Sequence, residues 1–374
     1  MNQPLKDKVH FPNLDGLRFI GAFLIIVIHI ENLKVVAGKE PMAWVKDYLP
    51  IGGLDVSLFF VLSGFLITFL LLKEKDKTST INLKKFYLRR MLKIWPLYYL
   101  IGFIGLIILP QLYIYSSGNY SGYGNSWYSA LLYGLFLPPL MKSMAIGAAW
   151  SVRVEELFYL LWAVILRSTK KYFNVLIAIV VLGFFLRNAS AFLVHIKPIL
   201  IFKIANHLCT DYRFGCMAIG GIAAYLHITD RKKLLSFLYR KDLQYVVYIV
   251  LLALFIFKVH LPGFNFEVYS IFFAFLVLNL ATNEQSILCF DYPLMNYLGK
   301  ISYGLYLYNP IMRIFCLAFT EKIYNRPLAG WQMNSVLYFS AIASTILISI
   351  LSYEFFEKPF LRAKNRFAVI KTTS

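Results

Sequence analysis

Long apolar runs recur along the chain from Leu14 to Phe356, separated by short polar stretches. A helix needs about 20 apolar residues to cross a hydrocarbon core of about 30 Å. Unpaired backbone groups are too costly in lipid, so repeated runs of this length predict a helical bundle. The strands of a membrane barrel would alternate apolar and polar residues, and these runs do not. The runs predict spans over 14–34, 51–72, 94–111, 148–167, 172–194, 211–228, 243–260, 266–283, 298–318 and 333–356. The expected fold is therefore an all-α membrane protein with about ten transmembrane helices. The stretch 127–146 is apolar but interrupted by Pro138-Pro139, and reads as a re-entrant or interfacial segment instead of a full span. The first run follows a polar N-terminus and carries an embedded His29, unlike the apolar core of a cleavable signal peptide.

The charges between the runs orient the bundle. With the N-terminus inside and ten spans, the cytoplasmic stretches collect most of the 38 Lys and Arg residues, among them Lys73 to Lys93, Arg231 to Lys241 and the tail from Lys358. The stretch 112–126 has no charged residue. This asymmetry predicts that both termini are cytoplasmic. It also explains most of the net charge of +19, with an anionic ligand at the cytoplasmic face as the remainder and no nucleic acid. Only 15% of residues are charged, well below the quarter usual in a soluble domain. Cys209, Cys216, Cys289 and Cys316 lie in or beside apolar runs without a C-x-x-C pair, which implies helix packing and neither a metal nor a disulfide.

Ionisable residues inside such runs are expensive and draw attention first. The first run, LDGLRFIGAFLIIVIHIENL, places Asp15 and Arg18 at its cytoplasmic start and His29 eleven residues after Arg18. Eleven residues are close to three helical turns, so both side chains share a face about 16 Å apart along the axis. On packing grounds alone His29 would bond a neighbouring helix and Arg18 would anchor the inner interface. The second run carries Asp55 near its outer end and Ser63-Gly64 near its middle, a small pair that lets helices approach. In AAWSVRVEELFYLLW, Trp150 and Arg153 precede the neighbours Glu155 and Glu156. Adjacent residues face about 100° apart, so one Glu is expected to face the bundle and the other a neighbour or Arg153. An internal ion pair would account for them; so would a carboxylate that orients a histidine.

Six segments, in order, resemble acyltransferase family 3, the bacterial membrane acyltransferases of cell-surface glycans. They are LDGLRFIGAFLIIVIH, LDVSLFFVLSGFLIT, FYLRRMLKIWPLYYL, WSVRVEELFYLLW, LGKISYGLYLYNP (which contains Tyr303) and SYEFFEKPFLR. The resemblance covers residues 14–362. Three positions depart from the family pattern: Asn309 stands where a His is common, Lys93 where Arg is usual, and Arg153 where a small polar residue is usual. Some members carry a C-terminal esterase-like domain; here the expectation is one membrane acyltransferase domain over 1–374 without it.

The resemblance implies acyl-CoA as co-substrate, most often acetyl-CoA, with no permanently bound cofactor. It implies a hydroxyl of a glycan or glycolipid as acceptor, and the cell (inner, cytoplasmic) membrane as location. A sugar hydroxyl needs a base near neutral pH, which suits His29, as base or as transient acyl carrier, oriented by Glu155 or Glu156. Arg18, Arg89, Arg90 and Lys93 would hold the coenzyme A phosphates through charge-assisted bonds. Asp15, Asp55, Ser63, Trp150, Arg153, Tyr303 and Asn309 would support them. One continuous cavity is expected, lined by Arg18, His29, Glu155 or Glu156, and Asn309. The rival class is a transporter or flippase, in which His and Glu relay protons; the inverted repeats common in transporters are absent from the sequence.

Overall fold

The computed structural model describes residues 8–43, 54–112, 131, 133–136, 146–323 and 330–372. In chain order the elements are β1 (Lys8–Val9), α1 (Pro12–Val36), α2 (Leu54–Thr78), α3 (Leu83–Phe103), α4 (Ala149–Ser168), α5 (Tyr172–Ile196), α6 (Leu200–Asp211) and α7 (Phe214–Ile228). There follow α8 (Lys232–Leu238), α9 (Lys241–Ile256), α10 (Asn265–Thr282), α11 (Pro293–Lys300), α12 (Ser302–Ile323), α13 (Gly330–Leu351), α14 (Lys358–Asn365) and β2 (Lys371–Thr372). Among the described residues the regular structure is thus helical apart from one two-residue strand pair.

Six helical stretches among the described residues are long and apolar enough to cross a membrane: Asn13–Val36, Val56–Thr78, Leu83–Gln111, Tyr172–Ile196, Asn265–Thr282 and Gly330–Asn365. The other expected spans are also helices, α4, α7, α9 and α12. α4 carries Arg153, Glu155, Glu156 and Arg167. α7 has 15 residues and α9 has 16, which at about 1.5 Å per residue gives ~22–24 Å each, short of the ~30 Å core. Large apolar residues point outward from α5 and α9, among them Phe185, Phe192, Ile249 and Leu252, as lipid contact demands.

β1 pairs in parallel with β2, Lys8 opposite Lys371 and Val9 opposite Thr372. The two ends of the described chain therefore lie together on one side of the bundle.

The tightest helix pair is α2 with α7. A Cβ added at Gly64 would collide with the carbonyl of Met217, and one added at Gly220 with that of Val61. Small residues let the two backbones touch, as in other membrane helix pairs. The expected role of the Ser63-Gly64 pair thus falls to Gly64.

Several boundaries differ from the sequence reading. The basic stretch 84–93, expected as a loop, forms the first turns of α3. Asn82 caps that helix, its side chain accepting from the Lys85 amide at 3.0 Å, and the Leu, Arg and Lys that follow are strong helix formers. The expected span 298–318 is broken at Ile301 between α11 and α12. α13 runs into a π turn at Ser352–Glu357 before α14. Residues 113–126, and 127–146 apart from 131, 133–136 and 146, lie outside the described residues.

Candidate functional site

Two cavities lie at the end of the bundle where β1 and β2 meet. The first, of about 170 Å³, is walled by five long helices, the short helices α11 and α14, and the π turn after α13. α1 gives it Asp15 and Arg18, α2 gives Ser63 and Phe59, and α3 gives Arg90, Lys93 and Ile94. From α4 come Ser151, Glu155 and Tyr159, spaced four apart and so on one face; α12 adds Tyr303 and Tyr306, and the π turn adds Tyr353 and Glu357. The second cavity, of about 100 Å³, is lined by His10, Arg89 and Lys364 and shares Asp15, Arg18, Leu66, Arg90 and Lys93 with the first. The two cavities thus share a wall with three cations and Asp15, and the first adds the carboxylates Glu155 and Glu357.

The charges around these cavities are held at defined places. Asp15 is buried, accepts from Arg18 at 2.7 Å and lies 3.7 Å from the His10 ring. Arg90 lies over the rings of Tyr159 at 5.2 Å and Phe86 at 5.8 Å. Its neighbour Arg89 is engaged elsewhere: it pairs with the buried Glu74 at 2.8 Å and donates to the Phe367 carbonyl at 2.9 Å. Glu155 accepts from the Tyr159 hydroxyl at 2.9 Å. Glu156 turns away and accepts from the Trp95 indole at 3.2 Å, its second oxygen buried without a partner among the described residues. Tyr303 donates to the Ile94 carbonyl at 2.9 Å. Glu357 accepts from Ser352 at 3.1 Å within the π turn, a distortion often found at functional sites.

His29 lies apart from these cavities. Its ring Nδ1 is 3.5 Å from Asn309 Nδ2, and the guanidinium of Arg313 donates to its backbone carbonyl. The expectation of one cavity lined by Arg18, His29 and Asn309 is therefore corrected: Arg18 and Glu155 line it, His29, Glu156 and Asn309 do not. The face of α1 between Arg18 and His29 is filled by Ala22, Ile25 and Ile26, all fully buried. Across it, Ser151 Oγ and the Tyr306 hydroxyl meet at 2.8 Å, closing the chamber between α4 and α12. Asn309, which His29 meets, follows Tyr306 by three residues, a rise of ~4.5 Å along α12.

Neither Glu155 nor Glu156 contacts His29; their hydrogen-bond partners are Tyr159 and Trp95. Arg153 is buried near Tyr98, Tyr133 and Tyr212 and not against either Glu. Trp150 packs edge-on against Phe60 at 6.0 Å, beneath the Arg213 guanidinium at 5.5 Å. The side chain of Asp55 lies outside the described residues. The sequence reading missed Tyr159, Tyr306, Glu357, Lys364 and Arg313. Arg313 had a signal, a lone cation in the apolar run IMRIFCLAF, four residues after Asn309 and hence on the same helical face. Among the described residues no group of His, Cys, Asp and Glu could hold a metal ion.

A family model described as "Acyltransferase domain" matches residues 11–354. The chain is 28% identical over 380 residues to "Putative O-acetyltransferase SACOL0978" of Staphylococcus aureus (strain COL), covering 95% of this chain and 58% of that protein. It is 26% identical over 382 residues to "Peptidoglycan O-acetyltransferase OatA" of Listeria monocytogenes, covering 94% and 56%. It is 27% identical over 379 residues to "O-acetyltransferase OatA" of Staphylococcus aureus (strain NCTC 8325), covering 94% and 57%. The chain thus spans little more than half the length of these relatives. No solved structure matches it.

Proposed function

The chain belongs to acyltransferase family 3, and we propose that it is a membrane O-acetyltransferase that moves an acetyl group from cytoplasmic acetyl-CoA to a hydroxyl of an exported glycan. The observation that carries this reading is the pair of adjoining cavities. Their shared wall holds Arg18, Arg90 and Lys93, and only the inner chamber holds Glu155 and Glu357. A phosphate-rich donor fits this basic wall, since guanidinium and ammonium groups bind phosphate strongly. Its thioester arm then points toward the chamber.

In the transfer, His29 takes the proton of the acceptor hydroxyl and the freed oxygen attacks the thioester carbonyl. The carbon–sulfur bond breaks, and the leaving thiolate recovers the proton from the imidazolium, so no other reactant is needed. The same ring could carry the acyl group between two such steps. The Ser151–Tyr306 contact stands between the chamber and His29, so its opening is part of the cycle. The acceptor approaches from the opposite side of the membrane, past Trp150 and Asp55. The names of the relatives point to peptidoglycan as one acceptor class.

The test uses purified protein in nanodiscs. Calorimetry should show binding of coenzyme A and acetyl-CoA that weakens with added salt. Surface glycans of cells expressing the chain should gain alkali-labile acetate, which His29→Ala abolishes while leaving coenzyme A binding in place. A folded protein that binds neither form of the donor would overturn the proposal.

A further inference from the structure

Asn309 and Arg313 lie one turn apart on α12, and both reach His29. Asn309 is fully buried and Arg313 is 7% exposed. Each keeps a buried polar atom without a hydrogen-bond partner among the described residues, Oδ1 of Asn309 and Nε of Arg313. No carboxylate among the described residues pairs with Arg313. Buried polar atoms left without a partner are costly, so each such atom calls for a reason beyond packing. Their arrangement singles out one histidine.

We propose that Asn309 and Arg313 are positioning residues that assign the two ring nitrogens of His29: Nδ1 is the anchored nitrogen and Nε2 the working one. This rests on the reading of His29 as the base. The argument starts from the amide of Asn309, which carries a donor and an acceptor related by a half-turn about the Cβ–Cγ bond. With Nδ2 toward the ring, it donates to an unprotonated Nδ1, and the neutral ring keeps its proton on Nε2. With Oδ1 toward the ring, it accepts from a protonated Nδ1, and the Nε2 lone pair is free to take a proton. The unpartnered Oδ1 is the acceptor that the second state requires. A base must leave and return to its proton-accepting state in each cycle. An amide serves both tautomers of a neutral ring and the imidazolium between them; an aliphatic side chain serves none. Arg313 complements this by holding the main chain of α1 at His29 through the carbonyl, which fixes the depth of the ring against α12.

The test compares variants for acetate transfer, donor KM and pH dependence. Asn309→Leu should lower kcat about 10- to 100-fold, the scale of loss when a metal-ligating histidine loses the partner of its other ring nitrogen, with donor KM unchanged. Asn309→Asp keeps an acceptor for Nδ1–H and should recover most of that loss. Its carboxylate also stabilises the imidazolium, so the acid limb of its kcat profile should move to higher pH, because the base must be deprotonated to act. Arg313→Leu should lower kcat, with partial recovery in Arg313→Lys, which keeps a donor for the carbonyl. Coenzyme A binding reports folding in every variant. Wild-type kcat in Asn309→Leu, beside a dead His29→Ala, would overturn this assignment and leave the His29 reading standing. Equal losses in Asn309→Leu and Asn309→Asp with no pH shift, both variants still binding coenzyme A, would reduce Asn309 to packing and also overturn it. Full transfer in His29→Ala would overturn both readings together.

Discussion

Arg89 and Arg90 are neighbours in one basic motif, and their surroundings assign them different duties. Arg90 lines both cavities and is braced by the rings of Tyr159 and Phe86, with no carboxylate hydrogen-bonded to it among the described residues. Arg89 touches only the second cavity and is held by Glu74 and the Phe367 carbonyl. A hydrogen bond between charged groups contributes about 1.5–3 kcal/mol. If Arg90 meets a donor phosphate, Arg90→Gln should raise the donor KM about 10- to 100-fold, at about 1.4 kcal/mol per tenfold. The fold should survive, because no buried partner is orphaned. Arg89→Gln removes the cation from a carboxylate that is 2% exposed. Breaking a buried pair from one side costs about 3–5 kcal/mol, so this variant should lose thermal stability in detergent far more than donor affinity. Glu74 still accepts from the Asn82 amide at 3.0 Å, which places the loss at the lower end of that range. Glu74→Gln in the Arg89→Gln background should restore stability, since no charge is then left buried. The assays are tritiated acetyl-CoA binding and the fraction of monodisperse protein after heating. Equal effects of Arg89→Gln and Arg90→Gln on KM, with equal stability, would refute this division.

Gly64→Leu should abolish recovery of folded protein in detergent, because the added atoms run into the Met217 backbone and overpacking there has no flexible neighbour to yield. Gly134→Ala, which meets nothing within 4 Å, is the control, and normal recovery of Gly64→Leu would contradict the α2–α7 contact. Glu155→Gln should bind coenzyme A and lose most acetate transfer, measured as alkali-released acetate; full transfer would show that its place in the chamber is passive. Reporter fusions at the two chain ends should give the same side, and cysteines placed at 78 and 241 should resist labelling from outside intact cells. Labelling of either would reverse the orientation drawn from the basic residues.

The helical character of the runs was legible because membrane solvation leaves few alternatives: a lipid-spanning apolar run must be a helix, and six helical stretches among the described residues are long and apolar enough to cross. Their ends were less legible. Residues 84–93 are basic, and basic residues signal the cytoplasmic side without saying whether the backbone there is coiled. The cap at Asn82 carried that information and is a single residue. The separation of His29 from the cavity was hidden for another reason. Periodicity puts Arg18 and His29 on one face of α1. It says nothing of whether Ala22 and Ile25 between them border a channel or packed side chains, and that depends on α4 and α12 closing through Ser151 and Tyr306.

Three adjacent pairs show where such reading stops. In Ser63-Gly64, Ser63 lines the chamber and Gly64 meets α7. In Arg89-Arg90, Arg90 lines it and Arg89 pairs with Glu74. In Glu155-Glu156, Glu155 lines it and Glu156 bonds Trp95. Consecutive helical positions differ by about 100°, so two neighbours meet different surroundings even where both border a cavity. A sequence signature records both members with equal weight, since one serves the chamber and the other fixes the helix that presents it. The second member is then what holds the first in place. Gly64 sets the depth at which Ser63 stands, Glu74 and Arg89 set the rotation of α3 that aims Arg90, and Trp95 with Glu156 sets that of α4. Substituting the outward member should therefore disturb the chamber through geometry, with loss of stability preceding loss of chemistry. Substituting the inward member should do the reverse.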